Sequence, residues 1–206
     1  MTAHLPLAGA IHQTEISEGV LLAGSDPHWT EQQPTSTATR ALVQMAREFA
    51  AECRGFTLDE QLDPSWRPAE VLDINPGAGG LLLKHRHRGG ANAARANAQA
   101  AGKSIATGHV HQPNCIRLSN AASADFWGVD LGTMADPRAG SFAYTEGAAA
   151  LGMLGWSSAV WVFTFEAGRL LWPEPVHVVD EAAGLFTFRG RIHRVESVGS
   201  VRRLAA

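Results

Sequence analysis

Leu81-Leu82-Leu83-Lys84-His85-Arg86-His87-Arg88-Gly89-Gly90 is a short apolar run that breaks into basic residues and two glycines. Residues Ala91 to Ala101 follow, rich in alanine with polar residues interspersed, and Gly102 closes them. Then Lys103–Thr107 leads into Gly108-His109-Val110-His111. The two short runs have the length of buried strands. The alanine-rich segment has high helix propensity and a glycine to end it. The stretch therefore predicts strand, helix, strand. Such units are right-handed crossovers between parallel strands. A parallel crossover puts the ends of both strands, and so His85 and His109, on one edge of a sheet.

His109 and His111 are two apart, as are His85 and His87. Side chains two apart in extended chain point to one side. Each pair can present its imidazoles to one metal or to two adjacent metals. Gly108 permits a tight turn at the strand end, where α/β proteins tend to hold their ligands. A third strand end, expected beside Ile105–Thr107 in the same sheet, repeats the pattern. Gly19-Val20-Leu21-Leu22-Ala23 reads as a buried strand, and Gly24-Ser25-Asp26-Pro27-His28 follows it. Asp26 and His28 are again two apart. Each pair alone reads equally as a turn or a basic solvated loop. Their repetition at three strand ends is what points to a metal.

The chain has 206 residues and a formal charge of −3, which suits one globular domain and gives no field for nucleic acid or acidic membrane. No apolar run is long enough to span a bilayer. The opening residues lack a basic start followed by an apolar core, so no secretory signal is expected. Cys53 and Cys115 form no CxxC pair and predict no disulfide framework, which suits a reducing cytoplasm.

Residues 1–18 read as an irregular arm. Pro34-Thr35-Ser36-Thr37 offers helix caps, and Ala41, Leu42, Met45, Ala46 and Phe49 form one helical stripe, so a helix is expected from Thr37 to Ala51. Val71–Ile74 alternates as a strand does, and Asn75–Gly80 is a turn. From Asn114 the chain becomes β-like. Strands are expected at 116–118, 126–129, 158–165, 170–172, 176–179 and 185–189, with Glu166–Arg169 as a hairpin turn. In one of these, Trp161, Phe163 and Phe165 share a face and Val160, Val162 and Thr164 share the other. Trp127, Trp156 and Trp172 are expected in the core. The last residues, 195–206, read as a tail.

Asp-x-His after a first strand, histidine after a later one, and Gly-His-x-His after the next is an order that resembles the calcineurin-like metallophosphoesterases, the phage or prophage type in particular. Lys84–Gly90, Phe126–Thr133 and Tyr144-Thr145-Glu146 are similar to that subgroup as well. The resemblance covers about residues 19–190. It implies a single domain over 19–194 with a reduced α-β-β-α sandwich, a mixed sheet followed by a mostly antiparallel one. It implies that Asp26, His28 and His111 ligate one divalent ion and that His85 and His109 ligate a second. His85 is preferred to His87 because it follows the strand directly. His87 then stands near the substrate, with Arg86 and Arg88 as phosphate clamps, since guanidinium forks match phosphate. A solvated loop is the other reading of those arginines. The mixed nitrogen and oxygen donors suit Mn, Fe or Zn.

The family also carries a Gly-Asp motif, whose aspartate bridges the metals, and a Gly-Asn-His motif, whose histidine helps protonate the leaving group. This sequence contains neither a Gly-Asp nor an Asn-His dipeptide. A central block is missing relative to the family near residues 50–55. Three readings follow: a working phosphoester hydrolase with substituted ligands, with Asp59, Asp63 or Asp73 in the bridging place; a non-catalytic metal-binding or scaffolding protein of phage type; and a shortened product of a gene for the enzyme. A structural phage protein with incidental histidines is a fourth, of a different class. The expected partner is a phosphoester of unassigned identity. No basic stripe with aromatics supports nucleic acid. Missing inner strands would leave apolar surface and favour self-association.

Overall fold

A computed structural model describes residues 11–25, 29–30, 33–34, 36–52, 71–76, 79–85, 88–120, 123–135 and 155–195. Fourteen strands and two helices are formed by these residues. The strands are β1 (Ile11–Thr14), β2 (Gly19–Ala23), β3 (Trp29–Thr30), β4 (Gln33–Pro34), β5 (Val71–Ile74), β6 (Leu81–Lys84) and β7 (Ser104–Thr107), then β8 (Asn114–Asn120), β9 (Ser123–Asp130), β10 (Ala159–Glu166), β11 (Arg169–Leu170), β12 (Glu174–Asp180), β13 (Leu185–Phe188) and β14 (Arg191–Arg194). The helices are α1 (Thr37–Glu52) and α2 (Ala93–Ala101).

The expected strand–helix–strand unit is present as β6–α2–β7, with Gly102 left-handed at the helix end and its amide donating to the Ala98 carbonyl. β6 and β7 are parallel, and Lys84 lies opposite Thr107. The first sheet runs β1-β5-β6-β7-β9-β8 and is mixed. In it β1 is parallel to β5 and β9 is parallel to β7, whereas β5 and β8 run antiparallel to their neighbours β6 and β9. The second sheet is antiparallel. Within it β10 pairs with β2 and β12, and β12–β13–β14 continue as hairpins.

Three clusters of buried side chains set the layers. Ala38, Ala41 and Met45 of α1 pack on Val160 and Val162 of β10 and on Val176 and Phe186. Trp161, Phe163 and Phe165, from the other face of β10, pack on Ile74, Leu81, Ala106 and Val129 of the first sheet. Ala98 of α2 packs on Ile105 and Phe126, the far face of that sheet. The order is therefore α1, second sheet, first sheet, α2. The alternation read along β10 assigns its two faces correctly. It is the strand buried on both sides, which is why it is an almost unbroken apolar run.

Ser36 caps α1 by accepting the Thr39 amide at 3.1 Å, and the helix starts at Thr37 as expected. Helix α2 lies close to its sheet because Gly128 of β9 has no side chain: a Cβ there would collide with the carbonyl of Ala94.

Several expectations need correction. The arm at residues 1–18 supplies a strand, β1, held by parallel pairing with β5. β2 does not neighbour β7. It joins the second sheet beside β10, because a short apolar run specifies a buried strand and leaves its partner open. β8 and β9 belong to the first sheet rather than to the later antiparallel one. Trp172 is not in the core: it is 62% exposed and leans on the buried Trp127, with ring centres 4.5 Å apart. The 50–55 gap, apart from the end of α1, lies outside the described residues, as do Asp59, Asp63 and residues 196–206. Asp73, the third candidate for the bridge, sits in β5 and accepts from Lys103 at 2.6 Å. Among the described residues no helix is long and apolar enough to cross a membrane.

Candidate metal centre

The strand directions bring one set of ends together. β6, β7 and β9 are parallel and in register, so His85, Gly108 and Leu131 follow adjacent strand ends. Backbone bonds tie the three: the Gly108 amide donates to the His85 carbonyl at 3.0 Å and the Leu131 amide to the Thr107 carbonyl at 2.7 Å. β2 arrives from the facing sheet. The Ser25 hydroxyl donates to the Gly108 carbonyl at 2.8 Å, and the Ser25 carbonyl accepts the Met134 amide at 2.6 Å. Ser25 is the residue before Asp26 in the sequence. The ends thus converge, though across the sandwich rather than along one sheet.

Gly108 is required at this meeting point. A Cβ there would run into the Ser25 side chain and would stand 3.6 Å from the His85 Nδ1. The His85 and His109 rings lie edge to face, with centres 5.8 Å apart. An ion shared by the two imidazoles would need one nitrogen of each at the usual bond length of about 2.0–2.1 Å. Both side chains are exposed, so such an ion would be open to solvent.

His111 turns away from extended backbone. Its φ is +61°, in the left-handed region. This conformation is uncommon for a residue with a side chain and collects at functional sites. The Trp156 ring packs edge-on against the imidazole at 4.8 Å, and the Ser157 amide donates to the His111 carbonyl at 3.1 Å. The short segment before β10 therefore covers His111.

Asp26, His28, Arg86 and His87 lie outside the described residues, so the structure does not place the expected three-ligand set of Asp26, His28 and His111. Arg88 is placed, with an exposed side chain and a firmly held backbone. Among the described residues, no group of three or more histidine, cysteine, aspartate or glutamate side chains surrounds a point where an ion could sit. Of the remaining histidines, His193 stacks on Phe186 and His177 lies within β12. His12 is in β1, at the outer edge of the first sheet.

The chain matches no protein-family model. It matches no curated protein and no solved structure.

Two polar residues at this end were not picked out as site residues from the sequence. Asp130 ends β9 beside Thr107 and is 2% exposed. Its Oδ1 accepts the Gly132 amide at 3.2 Å. Burial raises its pKa from the ordinary 3.8 to about 6, against the opposing pull of the Gly132 amide, the charge of His111 and the Gln112 amide. Asn97 of α2 is fully buried. It accepts the Arg88 amide at 2.9 Å and donates to the Arg88 carbonyl at 3.3 Å and to the Thr107 hydroxyl at 3.1 Å. The sequence held a signal for Asn97: it falls three and four residues from Ala94 and Ala93, on the small-residue face, whereas Arg95 is exposed. Asp130 gave none beyond its place after an apolar strand.

Proposed function

We propose that this chain is a metal-dependent hydrolase of phosphoesters, of metallophosphoesterase type, with an incomplete catalytic set. The observation that carries the reading is the meeting of Ser25, His85 and Gly108 at one end of the sandwich, through the Ser25–Gly108 and Gly108–His85 bonds. Chain segments distant in sequence and bearing Asp-x-His, histidine and Gly-His-x-His motifs begin at that point.

The donor set fits a divalent ion. Two imidazoles lie edge to face with centres 5.8 Å apart, the strand ends meet closely at Gly108, and a buried carboxylate, Asp130, feels the charge of His111. In this reading His85 and His109 hold one ion, and Asp26, His28 and His111 hold the other. Bound divalent ions of Mn, Fe or Zn type would lower the pKa of water and neutralise phosphoryl oxygens. The protein's own part is to orient the imidazoles, to hold His111 in its left-handed turn and to offer Arg86, Arg88 and His87 to the phosphate. Two neutral histidines do little against the repulsion of two close dications, so the His85–His109 site is the weaker. A cytoplasmic protein that acts on a phosphoester substrate, without membrane attachment, completes the proposal. Self-association through surface that inner strands would otherwise cover belongs to it as well.

The second reading is a non-catalytic metal-binding or scaffolding protein of the same ancestry. The absence of Gly-Asp and Asn-His in the sequence favours it. Loss of one electrostatic element commonly lowers rates by about 10²–10³, and two are missing. Turnover of a nitrophenyl phosphodiester with Mn²⁺, measured beside metal stoichiometry, separates the two. We expect one bound metal per chain and turnover near the detection limit. His111→Ala should abolish metal binding, and His109→Ala should change turnover little. Two tightly held ions with brisk turnover would mean that another carboxylate bridges them. No bound metal at all would end both readings.

A further inference from the structure

We infer that Asn97 is the positioning residue of the histidine end, a side chain of α2 that fixes the backbone of Arg88, three residues after His85, against Thr107, the residue before Gly108. The inference rests on the proposed metal site for its purpose, but its geometry stands independently. The loop is pinned twice. At its start the His85 carbonyl accepts the Gly108 amide, and at Arg88 the Asn97 amide grips both the N–H and the C=O of one residue. The third bond of Asn97 goes to Thr107, the residue before Gly108. One side chain therefore spans both histidine-bearing segments and sets the distance between them.

Burying a primary amide in a helix face of alanines is unfavourable unless its groups are satisfied. Both the Asn97 oxygen and its nitrogen have partners here, and every partner belongs to the site end. Without Asn97, Arg88 would lose the side-chain bonds to both its N–H and its C=O. The close approach of α2 at Gly128 is what allows so short a side chain to reach.

The same grip occurs at the opposite end of the sandwich and supplies the control. Asn75 accepts the Ile16 amide at 2.7 Å and donates to the Ile16 carbonyl at 2.7 Å and to the Gly168 carbonyl at 2.9 Å. It holds segments without histidine.

The test compares Asn97→Ala, Thr107→Val and Asn75→Gly in the full chain. Amide hydrogen exchange by NMR is read first, without metal. Asn97→Ala should speed exchange at Arg88 and Gly108 by about 10- to 100-fold and abolish the cross-relaxation between the His85 and His109 rings. Ala106 and Val129, in mid-strand, should keep their protection. Thr107→Val removes one of the three bonds and should give a several-fold effect at Arg88, which keeps the test open if Asn97→Ala does not fold. Asn75→Gly should lower overall stability and leave the His85–Arg88 loop as it was. Co²⁺ titration followed by absorption is read second. On the weaker step, assigned to His85 and His109, Asn97→Ala should weaken binding about 10- to 100-fold, the usual effect of losing an outer partner, and His85→Ala should do at least as much, while the step assigned to His111 stays as it was. Unchanged exchange at Arg88 in Asn97→Ala would overturn the inference, as would an equal loosening of that loop by Asn75→Gly. Absence of Co²⁺ binding in the unaltered protein would remove the metal reading, while the exchange result would still decide the role of Asn97.

Discussion

The two ends of the sandwich are built by one device and differ in what the device holds. At each end a buried or half-buried asparagine clamps the backbone of a distant residue, Asn97 on Arg88 and Asn75 on Ile16. At the Asn75 end left-handed backbone also occurs, at Asn75 and Ala167 (φ +50° and +48°), but Lys103 is paired: it donates to Asp73 at 2.6 Å and reaches the Pro76 carbonyl. At the Asn97 end the His85 and His109 rings meet edge to face, His111 stands on left-handed backbone against Trp156, and the buried Asp130 carboxylate feels the charge of His111. The clamp by itself is a way to close a sandwich. What differs is the buried carboxylate, Asp130, whose pKa burial raises to about 6, whereas the Asp73 carboxylate at the other end is paired with Lys103.

The largest effect should come from the layer that both ends share. Phe163 is fully buried between the sheets, and Phe163→Ala should lower stability by about 4 kcal/mol in chemical denaturation. Exchange protection should fall at both ends together. If only one end loosened, the ends would be separate units and the comparison would break.

Next comes Gly128→Ala, which forces the Ala94 carbonyl and α2 off the sheet. We expect a loss of about 3 kcal/mol, with the Asn97 end loosened first. Gly190→Ala in the β13–β14 turn meets no atom and bears only its left-handed φ of +72°, so its loss should be about 1 kcal/mol. Equal losses for the two would mean that α2 shifts freely.

Charge removal should have opposite signs at the two ends. Asp130 has a raised pKa, so the folded state favours its protonated form. Stability due to this group falls as pH rises from about 4 to about 6 and stays low above that. Asp130→Asn should therefore stabilise the metal-free protein by about 2 kcal/mol at pH 7.5, with the gain shrinking toward zero below pH 4. Thermal melts across that range give the curve, and a variant less stable at every pH would refute the account. Lys103→Met, by contrast, should destabilise by about 1 kcal/mol, less in high salt.

Local patterns were legible in the sequence. The start of α1 followed from the Ser36 cap and the stripe at Ala41 and Met45, and both faces of β10 followed from strict alternation. The crossover over Leu81–Thr107 implied the shared edge of His85 and His109 because it makes the two strands parallel. Pairings distant in sequence were not legible. Nothing in Val20-Leu21-Leu22 distinguishes a neighbour of β7 from a neighbour of β10, because apolar strands satisfy either sheet. The site was read from residue types that bind metals. Asn97 and Asp130 act through burial, which a sequence states only indirectly, through the small residues that surround a polar one.

The pairing of Leu21 with Phe163 has a consequence for the order of events during synthesis. Ribosomes add about 5–20 residues per second, so β2 emerges on the order of ten seconds before the strand it must join. For that interval Val20, Leu21 and Leu22 are an apolar ribbon without its partner, open to wrong pairings. The contact of Ser25 with Gly108 depends on β2 being seated. The Ser25–Gly108 contact therefore cannot form in its native place until β10 has been made and β2 has paired with it.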